Sequence, residues 1–74
     1  MKRRTMETVK LKDDYIKLSQ ALKVSGLAES GVDAKYAILD GKVKVNGQTE
    51  LQRGKKLLAG DVVSYDGETV RIEA

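Results

Sequence analysis

Five glycines divide the second half of the sequence at positions 41, 47, 54, 60 and 67, six or seven residues apart. Only short elements fit between turns at that spacing, so the region cannot hold long helices or broad strands. The intervening residues do not repeat, so the glycines act as punctuation. After Gly41 the hydrophobic period is two. Lys42-Val43-Lys44-Val45 alternates, Asn46-Gly47 is a strong hairpin signal, and a return strand is expected through Gln48 to Leu51. Gly60-Asp61 introduces a strand Val62-Val63-Ser64-Tyr65, Asp66-Gly67 turns it, and Thr69-Val70-Arg71-Ile72 completes a second antiparallel pair. Thr8 to Lys12 also alternates, with Val9 and Leu11 on one side, and reads as a candidate edge strand.

Ahead of Gly41 the period is helical. Leu18, Ala21, Leu22 and Ser25 share one face, Val24 and Leu27 are expected to broaden it, and the spacing predicts a short amphipathic helix over Leu18 to Ser25 that ends at Gly26. A second helix starts after Ser30, a residue of N-cap type with Asp33 three positions on. It runs through Ala34, Ala37 and Ile38 to Asp40 and stops at Gly41. A strand, two helices and then three or four strands make an α+β chain with a mainly antiparallel sheet. At 74 residues one domain is expected. We place it at residues 15–74, with residues 1–14 as an N-terminal tail containing the candidate edge strand. A chain of this mass hides roughly 60% of its surface on folding, and with 41% hydrophobic residues it has the apolar content to form a core.

The sequence contains neither Cys nor His. Thiolate nucleophiles, Cys-based zinc sites, disulfides and His-dependent triads are therefore excluded, leaving carboxylates, Lys and Tyr for acid or base roles. We expect no enzyme activity, cofactor or metal. Asp13-Asp14 and Glu29 with Asp33 are the carboxylate groupings that could be tested as metal sites, and solvated surface or helix-start charge accounts for both. No apolar run exceeds the four residues Tyr36 to Leu39, so neither a membrane span nor a signal core is expected. The expected location is the cytoplasm, and the expected state a monomer.

Charge is unevenly distributed. From Lys35 to Lys56, six basic residues (Lys35, Lys42, Lys44, Arg53, Lys55 and Lys56) face two acidic ones. From Leu57 to Ala74, Arg71 alone opposes Asp61, Asp66, Glu68 and Glu73. The fold should thus carry a basic face distinct from an acidic one. Lys2-Arg3-Arg4 adds a second basic group, expected to be a solvated tail.

Ser30-Gly31, Ala34-Lys35, Ile38-Leu39, Gly41-Lys42-Val43-Lys44-Val45-Asn46-Gly47, Leu57 and Gly60-Asp61-Val62-Val63 together resemble the S-four domain. This is the RNA-binding module named after the fourth small-subunit ribosomal protein, also called the alpha-L motif. The resemblance covers about Ile16 to Tyr65. Ile16-Lys17-Leu18, Leu22-Lys23 and Glu50-Leu51-Gln52-Arg53-Gly54-Lys55-Lys56-Leu57 are similar to its small stand-alone bacterial branch. The resemblance implies two helices packed on a small twisted sheet, with RNA against the second helix and the following hairpin. It makes Lys35, Lys42, Lys44, Arg53, Lys55 and Lys56 candidate phosphate contacts. Many members place Arg directly after the serine that begins the second helix, where this chain has Gly31, so one expected contact is missing. The implied partner is structured RNA, either ribosomal RNA or an assembly intermediate, with ribosomal or assembly proteins as possible neighbours.

Each candidate also has a plainer role. Lys42 and Lys44 on one strand face could meet the same partner or guard a strand edge. Arg53 can make a planar two-point contact with phosphate that Lys cannot. Asn46-Gly47 reads as a turn and Ser30 as a helix cap. Tyr36 could stack on a base, but half-buried packing is the expected role, and Tyr15 and Tyr65 are assigned to the core edge. The rival to RNA binding is a protein-interaction adaptor that works through the acidic face from Asp61 to Glu73.

Overall fold

The computed structural model describes residues 7–74, so the Lys2-Arg3-Arg4 group lies outside the described residues. Strands β1 (Thr8–Lys10) and β2 (Ile16–Lys17) precede helices α1 (Leu18–Ser25) and α2 (Gly31–Leu39). Strands β3 (Val43–Val45), β4 (Gln48–Thr49), β5 (Lys56–Leu57), β6 (Val62–Tyr65) and β7 (Glu68–Glu73) follow. Five strands form one sheet in the order β1-β7-β6-β3-β4, and β2 pairs with β5 in a separate ribbon. Every pairing is antiparallel except that of β1 with β7.

The helices form where the pattern places them. Leu18, Ala21, Leu22 and Ser25 are the buried face of α1, and Gly26 ends it in the left-handed conformation at φ 88°. Ser25 is the one buried polar residue among the described residues and is satisfied locally: its Oγ donates to the Leu22 carbonyl at 3.1 Å and accepts from the Leu27 N–H at 3.4 Å. Ser30 caps α2 by accepting the Asp33 N–H at 3.1 Å. Leu27 joins the core as expected, but Val24 is exposed. At 100° per residue Val24 lies about 110° from the centre of the α1 stripe, too far round to reach the sheet.

Alternation builds the inner sheet face. Val9, Val43, Val45, Val63, Val70 and Ile72 are buried there, and α1 and α2 cover them with Leu18, Leu22, Ala34, Ala37 and Ile38. Both hairpin turns take positive φ at their two central residues, Asn46 (53°) and Gly47 (83°), then Asp66 (53°) and Gly67 (78°). That geometry matches the strand twist and suits Asn-Gly and Asp-Gly.

The first hairpin departs from expectation. The return strand of the first hairpin ends at Thr49, not Leu51. After the Glu50 N–H reaches the Val43 carbonyl, the Glu50 carboxylate accepts the Gln52 N–H and turns the chain away. The β2–β5 ribbon was not anticipated, because two-residue strands paired across the chain leave no periodic signal.

Candidate nucleic-acid interface

The Val-Asn-Gly and Gly-Asp pieces of the sequence meet in space. Asn46 donates from Nδ2 to Asp61 Oδ1 at 3.0 Å and accepts the Val62 N–H on Oδ1 at 2.9 Å. Asp61 Oδ2 accepts the Leu58 N–H at 2.8 Å. These side chains clasp the β3–β4 turn to the start of β6. Asp61 is thereby occupied within the fold. Asp66 sits at the far turn of the β6–β7 hairpin, so the C-terminal carboxylates are spread along the hairpin and do not converge.

The six basic candidates fall into groups. Arg53, Lys55 and Lys56 gather around the start of α1, because the Arg53 carbonyl accepts the Ser19 N–H at 3.2 Å and the Lys55 carbonyl accepts the Leu18 N–H at 2.8 Å. Arg53 lines an open depression together with Lys17, Ser19 and Gly31, the first residue of α2. Lys56 is exposed, and its ammonium lies 4.8 Å from the centre of the Tyr15 ring, a cation–π arrangement that favours one position for the side chain.

Lys35 is half-buried on α2, with its ammonium 5.7 Å from the Tyr36 ring centre. Tyr36 is 56% exposed, which corrects the expected half-buried packing. The reason is angular: Ala34, Ala37 and Ile38 fill the buried side of α2, and Val32, Tyr36 and Leu39 occupy the opposite side. Tyr65 packs against the core, whereas Tyr15 is exposed beside the ribbon.

Lys42 and Lys44 are exposed and Val43 and Val45 are buried, so the alternation holds within β3, while Lys42 lies ahead of the strand with its N–H on the Ala37 carbonyl. Edge protection does not fit Lys44, because β3 is paired on both sides and β4 forms the edge. Lys44 stands opposite Ser64 and Thr49, on the sheet face turned away from the helices. Lys42 lines a second depression with Glu29, Asp33 and Asp40, a setting of mixed charge. The candidates therefore do not form one patch. The densest concentration is at the start of α1, where the loop that follows the hairpin folds back.

Lys17 was missed by sequence reasoning. It pairs directly with Lys56 across the β2–β5 ribbon and shares the Arg53 depression. A lone Lys in Ile16-Lys17-Leu18 carries no local mark of this position. No group of three or more potential metal-ligating side chains occurs among the described residues, and no helix of the described residues is long and apolar enough to cross a membrane.

The family model described as S4 domain matches residues 9–73. The chain belongs to the S4 domain family. Its S-four fold is shared with the solution structure of YbcJ from Escherichia coli, described as revealing an alpha-L motif involved in RNA binding. That match has a TM-score of 0.72 and 41% identity, and covers 93% of this chain and 89% of the other. Among curated relatives, the Escherichia coli K12 protein named "Putative RNA-binding protein YbcJ" is 41% identical over 63 residues, covering 85% of this chain and 90% of the relative. The Bacillus subtilis 168 protein named "Probable ribosome maturation protein RlbA" is 36% identical over 59 residues, covering 80% and 83%. The two helices on a mainly antiparallel sheet are thus the S-four architecture.

Proposed function

We propose that this S-four chain binds structured RNA, ribosomal RNA or a ribosome assembly intermediate, through its basic residues and without catalysis. Membership of a family whose relatives carry RNA-binding and ribosome-maturation names supports the reading. The observation that carries it is the convergence of Arg53, Lys55 and Lys56 on the start of α1, within a stretch from Leu51 to Gly60 that contains no carboxylate. Lys35 on α2 and Lys42 and Lys44 at the hairpin are separate, secondary contacts. Each phosphate neutralised releases condensed counterions, so affinity falls as salt rises. A-form grooves hide base edges from most side chains, so the chain discriminates RNA by shape and 2′-hydroxyls more than by sequence. It acts as a monomer in the cytoplasm, with ribosomal or assembly proteins nearby.

Fluorescence anisotropy with a folded ribosomal RNA fragment, a single-stranded RNA and duplex DNA, across a salt series, tests this. Folded RNA should bind tightest, with a steep salt dependence, and Arg53→Glu and Lys35→Glu should each weaken binding several-fold while leaving the thermal transition in place. Equal or absent binding to all three polymers would overturn the reading and turn attention to protein partners.

A further inference from the structure

Lys17 breaks two local rules at once. In the β2–β5 ribbon it stands directly opposite Lys56, while the neighbouring pair Ile16 and Leu57 turns inward and Leu57 is fully buried. Like charges opposed across strands repel. Lys17 is also the N-cap residue of α1, where its side chain makes no capping hydrogen bond and the first helical turn offers no acidic residue. A cation there faces the positive end of the helix dipole.

No ion pair among the described residues relieves this. Ile16–Ser25 and Leu51–Gly60 contain no Asp or Glu, and the flanking Glu50 carboxylate accepts the Gln52 N–H. Asp13 lines a depression beside Lys17, yet Lys17 forms no ion pair among the described residues. The Tyr15 ring lies under the Lys56 ammonium, which favours its staying near the ribbon. Arg53 lines the depression that Lys17 shares, and its backbone is fixed by the bond to Ser19. The Leu18 and Ser19 N–H groups at the start of α1 are taken by the Lys55 and Arg53 carbonyls, which leaves the basic side chains as the main groups offered to a ligand here. Local rules broken without compensation in the free chain mark functional positions.

We infer that Lys17, Lys56 and Arg53 form a phosphate-binding site, in which the RNA backbone supplies the negative charge that the Lys17–Lys56 pair lacks. This rests on the RNA-binding reading above and adds a contact from outside the second helix and hairpin. Opposed strand residues have Cβ atoms roughly 5 Å apart, so two lysine ammonium groups can close on one phosphate. Arg53 then takes a phosphate oxygen of the same or the adjoining nucleotide with its planar guanidinium. The repulsion in the free chain becomes attraction in the complex.

The test is Lys17→Gln, which keeps a polar side chain one atom shorter and removes the charge, with Lys17→Arg as the charge-preserving control. In low salt without RNA, Lys17→Gln should unfold about 2 °C or more above the wild type, because the opposed charge is gone. With the folded RNA fragment it should bind several-fold more weakly, and its log-affinity against log-salt slope should be shallower by about one, while Lys17→Arg binds like the wild type. Opposite signs in stability and binding are the signature that a merely structural lysine would not produce. Wild-type affinity and slope in Lys17→Gln would overturn the site, as would a loss of stability that parallels the loss of binding. Inorganic phosphate, compared with chloride at equal ionic strength, keeps the two readings apart. If the wild type binds no RNA, the RNA reading falls. Equal phosphate stabilisation of wild type and Lys17→Gln would then also reject the anion site.

Discussion

Asn46 has two roles. It takes the positive φ that the tight turn requires, and its amide fastens that turn to Asp61 and the Val62 backbone. Alanine at 46 would lose both the tolerated backbone conformation and the two hydrogen bonds. A double-mutant cycle of Asn46→Ala and Asp61→Ala, followed by urea unfolding, should give a coupling energy of about 1 kcal/mol. Additive effects would mean that the clasp does not act as a unit. The sequence marks Asn46 as a turn former, but its bond to Asp61, 15 positions away, appears only in the fold. Tyr36 illustrates the opposite error. Its type suggested packing, yet its angle on α2 directs it to solvent, because three neighbours already fill the core side.

At the scale of elements, α2 presents its first residue, Gly31, to the depression lined by Lys17 and Arg53. A side chain built at Gly31 meets nothing within 4 Å, and the residue does not need a left-handed backbone. The S-four resemblance places Arg at this position in many members. Gly31→Arg should therefore fold without steric cost, and the gain from lost glycine freedom is offset by a cation at the positive end of α2 beside Lys17 and Arg53, so stability should change by less than about 1 kcal/mol. It should also steepen the salt dependence of RNA binding by about 0.7 to 0.9. Urea unfolding and anisotropy on the same variant check both halves, and an unchanged salt slope would show that this end of α2 does not face the RNA. The helices themselves were legible from spacing and caps alone. The depression between their ends was not, because it depends on the Leu51–Gly54 loop folding back onto α1.

At the scale of the whole molecule, β1 closes the sheet by pairing in parallel with β7, with Val9 set against Ile72. Val9 is 3% exposed and belongs to the same core as the helices. Val9→Ala should cost about 1 to 2 kcal/mol in urea unfolding. A neutral result would show that β1 contributes nothing to core stability. The basic surface has the same dependence on long-range order. The Lys35 to Lys56 charge excess is visible along the chain, but the fold divides its members between α2, the outer sheet face and the α1 start.

The sequence by itself determined both helices, both tight turns, the inward valines and the family pattern. Each of these depends on interactions among residues a few positions apart, where hydrophobic period, capping and turn conformation act. The tertiary structure alone decided the β2–β5 ribbon, which joins Ile16 to Leu57, and the β1–β7 pairing, which joins Thr8 to Arg71. It therefore also decided that Lys17 faces Lys56. A two-residue strand is too short to show a period of its own, and its partner is chosen by where the packed helices and sheet bring distant backbone together.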